Sequence, residues 1–80
     1  MFTVYILQSK KNNKYYIGYT TDIQNRLRQH NSGSNKSTKS GIPWKLVKQE
    51  NFKTKREAWL RERQIKRYKG GEAFKNLIGK

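Results

Sequence analysis

Alternation of side chains along two short segments near the amino terminus, residues 3–7 and 15–19, predicts two β-strands. In the first segment Val4 and Tyr5 fall on opposite faces, because successive side chains of a strand point to opposite sides. The polar segment between the strands, residues 9–14, contains two adjacent asparagines, which tolerate left-handed backbone. The two strands are therefore predicted to pair as an antiparallel hairpin with a loop longer than the tightest type.

The second strand places a phenol beside a residue that has no side chain. Tyr16 and Gly18 share one face of the strand, and Ile17 lies on the other. A bare patch of backbone next to a phenol leaves room for a ligand. The alternative is a hairpin of β-forming residues in an ordinary core, which the pattern by itself favours.

A first helix is predicted from about Asp22 to His30, because Thr21 and Gln24 fit a capping box and Asp22 suits the first turn. The apolar residues of this helix share a face with His30, and Arg26 lies on the flank of that face, one turn from His30. A histidine on such a face is more often a core residue than a catalyst, and a helical arginine is usually solvated. The two residues nevertheless form a cationic edge beside the apolar face.

The remaining chain predicts one more strand and two more helices. Residues 31–41 are polar, without apolar anchors, and are expected to form a mobile loop. A strand over residues 45–50 and a helix over residues 54–68 follow. After a break at Gly70–Gly71, the amphipathic segment 73–78 is expected to close the core with its Phe, Leu and Ile side chains.

An acid occupies a position in the second helix where the pattern calls for an apolar residue. Glu62 lies on a common face with Ala58 and Ile65. Burial of an unpaired carboxylate costs several kcal/mol, so Glu62 needs a cation, a hydrogen bond or a metal. The alternative is an ion pair with Lys66 one turn on, which contributes only about 0.3–0.5 kcal/mol if it is exposed.

The other four acids of the chain have explanations that require no metal. Asp22 and Glu72 open helices. Glu57 precedes an arginine by four residues, and Glu50 ends a strand. Elimination therefore leaves Glu62 as the candidate metal ligand.

The composition restricts the class of partner. Nineteen Lys and Arg against five Asp and Glu give a net charge of +14, most densely between residues 45 and 69. A solvated basic face is common, but so large a surplus repels itself unless an anionic partner neutralises it, and a nucleic acid is the expected partner. An anionic membrane surface is the weaker alternative. Eighty residues are expected to form one small domain, residues 1–80.

The absence of cysteine excludes a disulfide framework, a thiolate zinc site and a cysteine nucleophile. The longest apolar run covers only residues 4–7, so neither a signal peptide nor a membrane span is predicted. The expected location is the cytoplasm, with no membrane partner.

These segments resemble the GIY-YIG nuclease superfamily, in which two strands each present a tyrosine to one site, followed by a helix with an arginine and a later helix with a glutamate. Residues 3–5 stand where the first triplet falls, and residues 16–18 match the second in full. Residues 22–33 resemble the segment that follows. The small stand-alone bacterial members are similar also in the basic loop, Pro43–Trp44 and residues 58–66.

Two positions depart from the family pattern. Thr3 replaces the glycine of the first triplet, and Tyr19 stands where excision-repair members have a lysine. Neither change removes a tyrosine, but the second puts in doubt whether a cation assists Tyr16.

The predicted elements and the resemblance together imply an α+β fold, a small three-stranded antiparallel sheet flanked by about three helices. The implied activity is that of a DNA endonuclease dependent on Mg²⁺ or Mn²⁺, structure-specific and acting in repair or recombination. In that role Tyr16 orients or deprotonates the attacking water, Tyr5 supports it and Arg26 neutralises the phosphate. His30 matches a histidine of some branches, and Glu62 matches the single metal-binding glutamate, with waters and the substrate phosphate as further ligands.

Contacts to the nucleic acid are expected from Gly18, Lys36, Lys39 and Lys66. The charge supports equally a DNA- or RNA-binding module that keeps the fold but does not cut, and more weakly a basic component of a ribonucleoprotein. Without a separate targeting domain, the protein would recognise shape, form a homodimer or take its specificity from a partner protein.

Overall fold

In a computed structural model of the protein, which describes residues 1–79, three strands form one antiparallel sheet. β1 spans Phe2–Ser9, β2 spans Tyr15–Thr20 and β3 spans Trp44–Phe52. β1 lies between the other two and pairs with both in antiparallel register. The predicted hairpin is confirmed, and β3 runs beyond the predicted residues 45–50 at both ends.

Three helices accompany the sheet, as expected. α1 spans Ile23–Ser32, α2 spans Lys55–Tyr68 and α3 spans Glu72–Leu77, and a short 3₁₀ turn covers Lys39–Gly41. The predicted α+β class is confirmed. Within residues 1–79, every helix is too short or too polar to cross a lipid bilayer.

The two faces of β1 contribute to two separate cores. Val4 and Ile6 pack on the side covered by α2 and α3, whereas Tyr5 and Leu7 pack with Trp44 on the side of α1. This arrangement follows the alternation of the strand, since neighbouring side chains point to opposite sides. The buried residues of the α2 side are Val4, Ile6, Ile17, Ala58, Ile65 and Phe74, with Leu77 and Ile78 partly buried against them.

The start of α1 differs from the prediction. Asp22 is the N-cap, and its Oδ1 accepts a hydrogen bond of 3.1 Å from the backbone N–H of Asn25. The predicted capping box of Thr21 and Gln24 is therefore wrong, as is the placement of Asp22 in the first turn. The reason is that β2 leads into an extended backbone at Asp22, with φ −145° and ψ 91°. The helix ends later than predicted, at Ser32, and is followed by the C-cap Gly33, whose φ of 83° suits glycine.

The segment 31–41 does have anchors, and they are polar rather than apolar. The Trp44 indole donates to the Thr38 carbonyl at 2.8 Å, and the Trp44 backbone N–H donates to Asn31 Oδ1 at 2.6 Å. Gly41 is buried against the same indole. The segment lacks apolar anchors, as expected, and the hydrogen bonds to one tryptophan are absent from the prediction because they leave no periodic pattern in the sequence.

The acids near α2 pair differently from the prediction. Arg61 bonds to Glu50 through both ends of its guanidinium, Nε to Oε1 at 2.7 Å and Nη2 to Oε2 at 3.1 Å. Glu57 instead accepts from the hydroxyl of Thr54 at 2.9 Å, while its N–H donates to the same hydroxyl at 3.2 Å. The predicted pair within the helix is wrong, since β3 brings Glu50 to the helix flank and Glu57 is used in a cap.

Candidate functional site

Three rings meet on the side of the sheet that faces α1. Tyr5 comes from β1, Tyr16 from β2 and His30 from α1. The ring centroids of Tyr16 and His30 lie 4.7 Å apart, those of Tyr5 and Tyr16 6.3 Å, and those of Tyr5 and His30 6.0 Å. The structure therefore brings together three of the four residues predicted to be catalytic, and the fourth, Arg26, lies one turn before His30.

Gly18 makes room for Tyr5. The two residues are partners across β1 and β2, and a β-carbon at position 18 would lie 2.8 Å from Tyr5 Oη and 3.0 Å from its Cζ. The phenol thus lies over the bare backbone of β2. The expectation of room for a ligand at this point is wrong, because Tyr5 of the neighbouring strand occupies that space.

A buried chain of polar groups runs from Tyr5 through His30 to Thr38. Tyr5 Oη lies 3.2 Å from His30 Nε2, and His30 Nδ1 lies 2.9 Å from Thr38 Oγ1. The three residues are 1 to 2% exposed. The Thr38 hydroxyl donates to the Asn35 carbonyl at 3.4 Å, so it accepts from Nδ1–H, and Nε2 accepts from the phenol.

The electrostatics agree with this assignment. Burial lowers the pKa of His30, and the charge of Arg26 lowers it further, so the imidazole is neutral near pH 7. Burial raises the pKa of Tyr5 far above its usual value, and the neighbouring Tyr16 adds to this rise. Tyr5 therefore keeps its proton and acts as a hydrogen-bond donor rather than as a base.

Arg26 and Glu62 act on the Tyr5 phenol with opposite charges. The positive charge of Arg26 lowers the pKa of Tyr5, and the negative charge of Glu62 raises it. Arg26 is half-buried on α1, and the Glu62 side chain on α2 is 14% exposed. The alternative ion pair of Glu62 is present as well, since Oε1 lies 3.4 Å from Lys66 Nζ.

The candidate site offers a metal ion one protein carboxylate, that of Glu62. Residues 1–79 contain no group of three or more His, Cys, Asp or Glu that could hold a metal. Mg²⁺ usually keeps several waters and takes one or two carboxylates together with substrate phosphates. Glu62 therefore fits a hard divalent ion that shares its shell with water and substrate, and does not fit one caged by protein ligands alone.

The predicted nucleic-acid contacts are exposed, apart from Gly18. Lys36 and Lys39 lie on either side of Thr38, so the loop that supplies a buried hydroxyl to His30 turns its lysines to solvent. Lys66 lies beside Glu62 and is also exposed.

Two side chains, one in the site and one outside it, have positions that the sequence motif does not predict. Thr38 is missing from the predicted site because it lies in a polar segment with no periodicity, and no sequence signal connects it to His30. Tyr19, which stands at the position of the absent lysine, packs half-buried against the core on the α2 side, away from the ring cluster.

The chain is similar to known proteins over most of its length. Residues 1–74 match the family profile of the GIY-YIG catalytic domain. A UPF0213 protein of Staphylococcus haemolyticus is 42% identical over 75 residues, which cover 92% of this chain and 90% of that protein. A UPF0213 protein of Streptococcus pneumoniae is 43% identical over 67 residues, covering 82% of this chain and 67% of that protein.

The fold is also similar to a solved structure. The solution NMR structure of a UPF0213 protein from Bacillus halodurans is 34% identical, covers 95% of this chain and 94% of its own, and gives a TM-score of 0.51. Similarity in sequence and in structure thus extends over nearly the whole chain.

Proposed function

Since the chain belongs to the GIY-YIG family, we propose that it is a divalent-metal-dependent endonuclease that hydrolyses phosphodiester bonds in DNA. The observation that carries the proposal is the meeting of Tyr5, Tyr16 and His30 from three elements, where the charges of Arg26 and Glu62 act on the Tyr5 phenol. A net charge of +14 suits a polyanionic substrate.

The two phenols have different roles. Tyr5 is buried and keeps its proton, so it supports the site by donating to His30. Tyr16 is only half-buried and lies beside both other rings, so its hydroxyl is the one available to orient or deprotonate an attacking water. The difference in burial assigns the roles: the buried Tyr5 is the supporting phenol, and the half-buried Tyr16 is the reacting one.

Two charged residues act on the phosphate. Arg26 stabilises the negative charge that develops on the scissile group, and its planar guanidinium suits phosphate oxygens. Glu62 would hold the Mg²⁺ or Mn²⁺, and the ion, when bound, stabilises charge on a phosphoryl oxygen. The exposed Lys36, Lys39 and Lys66 would contact neighbouring phosphates of the DNA.

The substrate is proposed to be recognised by shape. The proposed contacts of Lys36, Lys39 and Lys66 would be made to phosphates, and phosphate contacts carry no sequence information directly. We therefore propose cleavage of branched, flapped or nicked DNA, as DNA repair and recombination require, with targeting by a partner protein or a second copy of the chain.

A second candidate is a nucleic-acid-binding module without cleavage. It is favoured by the ion pair of Glu62 with Lys66, since a carboxylate that already has a cation needs no metal to be satisfied. The charge of the chain supports binding in either case.

Cleavage of a panel of branched, flapped and nicked DNA with Mg²⁺ tests the proposal. Tyr16→Phe and Glu62→Gln should each lose at least about 100-fold in rate while retaining DNA affinity. Matched controls are Tyr15→Phe, which removes a phenol that packs against Phe74 on the other face, and Glu72→Gln, which removes an exposed acid. Cleavage by Glu62→Gln at the wild-type rate contradicts the metal assignment, and binding without cleavage by the wild type supports the second candidate.

A further inference from the structure

The outer side of α2 exposes a large aromatic ring. Trp59 is 42% exposed, and the only other large hydrophobic side chains exposed within residues 1–79 are Met1 and Leu60. The second tryptophan, Trp44, is buried in the core on the α1 side.

The position of Trp59 around the helix relates it to the candidate site. Successive residues of a helix are turned by about 100°, and the buried Ala58 and Ile65 mark the side of α2 that faces the sheet. Glu62 comes next to that side, and Trp59 follows about 60° further around and one turn earlier. The indole therefore stands on the flank of α2 that borders the proposed metal ligand.

The sector of α2 that contains Trp59 carries only cations besides the indole. All of these side chains are exposed, and no acid lies between them, whereas the paired Arg61 and Glu50 occupy the opposite flank. The cations of this sector, which we call the basic ridge, are Lys55, Arg56, Arg63, Lys66 and Arg67.

One cation of the basic ridge holds the indole. The guanidinium carbon of Arg63 lies 4.8 Å from the centroid of the Trp59 ring, within the range of a cation–π contact. The indole also separates two surface concavities, one lined by Tyr19, Lys55 and Arg56 and the other by residues that include Lys66. The ring thus has positive charge on both sides and an arginine that restricts its motion.

We propose that Trp59 stacks on an unpaired base of the DNA substrate, with the adjoining phosphates on the basic ridge. Stacking on an aromatic ring tolerates any base, and each stacked base contributes substantially to the affinity of single-strand-binding proteins. The bases of a blunt duplex are stacked on one another and offer no free face along its length. The proposal deepens the proposed function, on which it rests for the neighbourhood of Glu62, by specifying DNA with unpaired nucleotides close to the scissile phosphate.

Charge complementarity selects a nucleic acid as the occupant. Five cations, of which Lys66 is also paired with Glu62, match a strand that carries a phosphate at every nucleotide. Arg63 lies over one face of the Trp59 indole, so the base would stack on the opposite face.

The test measures binding without metal, in EDTA, so its result does not depend on cleavage. The probes are a fluorescein-labelled single-stranded oligonucleotide, a blunt duplex, and the same duplex with a single-stranded extension. Trp59→Ala should weaken binding to the single strand and the extended duplex by about 5- to 150-fold and leave the blunt duplex within about twofold. Trp59→Phe should retain most of the affinity, and Leu60→Ala, an exposed apolar neighbour at 48% exposure, should match the wild type.

Intrinsic fluorescence supplies a second readout. Trp44 is buried and Trp59 is exposed, so the single strand should quench mainly Trp59, and Trp59→Phe should remove most of the quenching. Circular dichroism checks that α2 is intact in each variant.

Unchanged affinity of Trp59→Ala for the single strand overturns the proposal even if the protein cuts DNA. An equal loss for the blunt duplex also overturns it, because the indole then acts through general contacts with the phosphate backbone. Tighter Trp59-dependent binding to single-stranded RNA than to DNA overturns the choice of DNA. If Trp59 stacks on the single strand but the protein cuts no DNA, the result supports the stacking proposal and contradicts the proposed nuclease function.

Discussion

The Tyr5 hydroxyl lies 3.2 Å from His30 Nε2, although the two residues are 25 positions apart in the chain. The contact exists because β1 is the central strand and α1 packs over the face that carries Tyr5. Burial sets the state of both groups, since it raises the pKa of Tyr5 and lowers that of His30, so the phenol donates and the imidazole accepts near pH 7. The stability of this buried pair and the geometry of the site are therefore coupled.

The hydroxyl of Thr38 is expected to position His30. Thr38→Val keeps the shape of the side chain but leaves the buried Nδ1–H without an acceptor, which should lower the free energy of unfolding by about 1–3 kcal/mol. Urea denaturation measures the loss. DNA cleavage should also fall, because the ring of His30 orients Tyr5.

The matched variants for this position are Thr38→Ser and Thr21→Val. Thr38→Ser keeps a hydroxyl and should restore most of the stability and the cleavage. Thr21 is exposed, and its replacement by valine should change the free energy of unfolding by less than about 0.5 kcal/mol. A Thr38→Val protein as stable as the wild type would contradict the hydrogen bond to Nδ1.

The single histidine should make the protein less stable in mild acid. Burial and Arg26 lower the pKa of His30 in the folded state, so the unfolded chain takes up the proton first as the pH falls below about 6.5. The free energy of unfolding should then fall with decreasing pH, by at most about 1.4 kcal/mol per unit, until the folded pKa is reached. Urea denaturation between about pH 5 and 7 measures the slope.

His30→Gln is the control for this slope, since it carries no titrating group. Its absolute stability is expected to be lower, but its free energy of unfolding should be nearly flat over the same pH range. An equal slope in the wild type and in His30→Gln would assign the pH dependence to other groups.

Gly18→Ala should destabilise the protein, although alanine usually stabilises a strand relative to glycine. The added carbon would lie 2.8 Å from Tyr5 Oη and 3.3 Å from Tyr16 Cε1, so the buried phenol must move. Overpacking of this kind costs about 1–3 kcal/mol, which exceeds the gain of about 0.4–1 kcal/mol from a less flexible unfolded chain. Thermal unfolding and cleavage should both show the loss.

Gly71→Ala is the comparison for Gly18→Ala. A β-carbon at position 71 would make only an ordinary contact of 3.4 Å with the Tyr68 carbonyl oxygen, and the backbone there has a φ of −111°. Its effect on the free energy of unfolding should stay below about 1 kcal/mol. A Gly18→Ala protein that is equally stable and active would mean that Tyr5 has room to shift.

The bridge between Glu50 and Arg61 is expected to stabilise the fold without serving the site. Both side chains are about a quarter exposed, and the bidentate geometry connects β3 to α2. Glu50→Gln should lower the free energy of unfolding at pH 7 by about 1–2 kcal/mol, a value between those of exposed pairs and of buried charged hydrogen bonds. Under conditions in which the variant is fully folded, its rate of DNA cleavage should be unchanged.

The pH dependence of this bridge has a definite sign. The hydrogen bond from Arg61 lowers the pKa of Glu50, so its stabilisation is present above the unfolded value of about 4.3 and is lost as the pH falls through the folded value. Glu57→Gln, which keeps an oxygen for the Thr54 hydroxyl, is the control and should unfold like the wild type. Equal stability of Glu50→Gln and Glu57→Gln would show that the bridge contributes nothing.

Local patterns were sufficient for the elements and for most of the side-chain directions. The strand alternation of β1 and the helical period of α2 placed Tyr5 opposite Val4 and Glu62 beside the buried face, as the structure confirms. The family triplets identify Tyr5 and Tyr16, because a motif consists of residues that are adjacent in the sequence. Helix boundaries were less accurate, since the N-cap at Asp22 depends on where β2 ends.

The partners of the polar groups could not be derived in this way. Thr38 reaches His30, Arg61 reaches Glu50 and Tyr5 covers Gly18, and each pair joins different elements or a loop to a helix. Sequence patterns predict partners within one helix, such as Glu57 and the arginine four residues on, because only short separations follow a fixed period.

The sequence by itself therefore determined the strands and helices, which faces are apolar, the large positive charge and the family to which the tyrosine triplets belong. These are consequences of local geometry and of composition, which need no knowledge of what lies across the sheet. Only the tertiary structure decided that Tyr5 donates to a neutral His30 over a bare glycine. The physical reason is that a buried polar group takes its partner from whatever the packing of sheet and helices brings within about 3 Å.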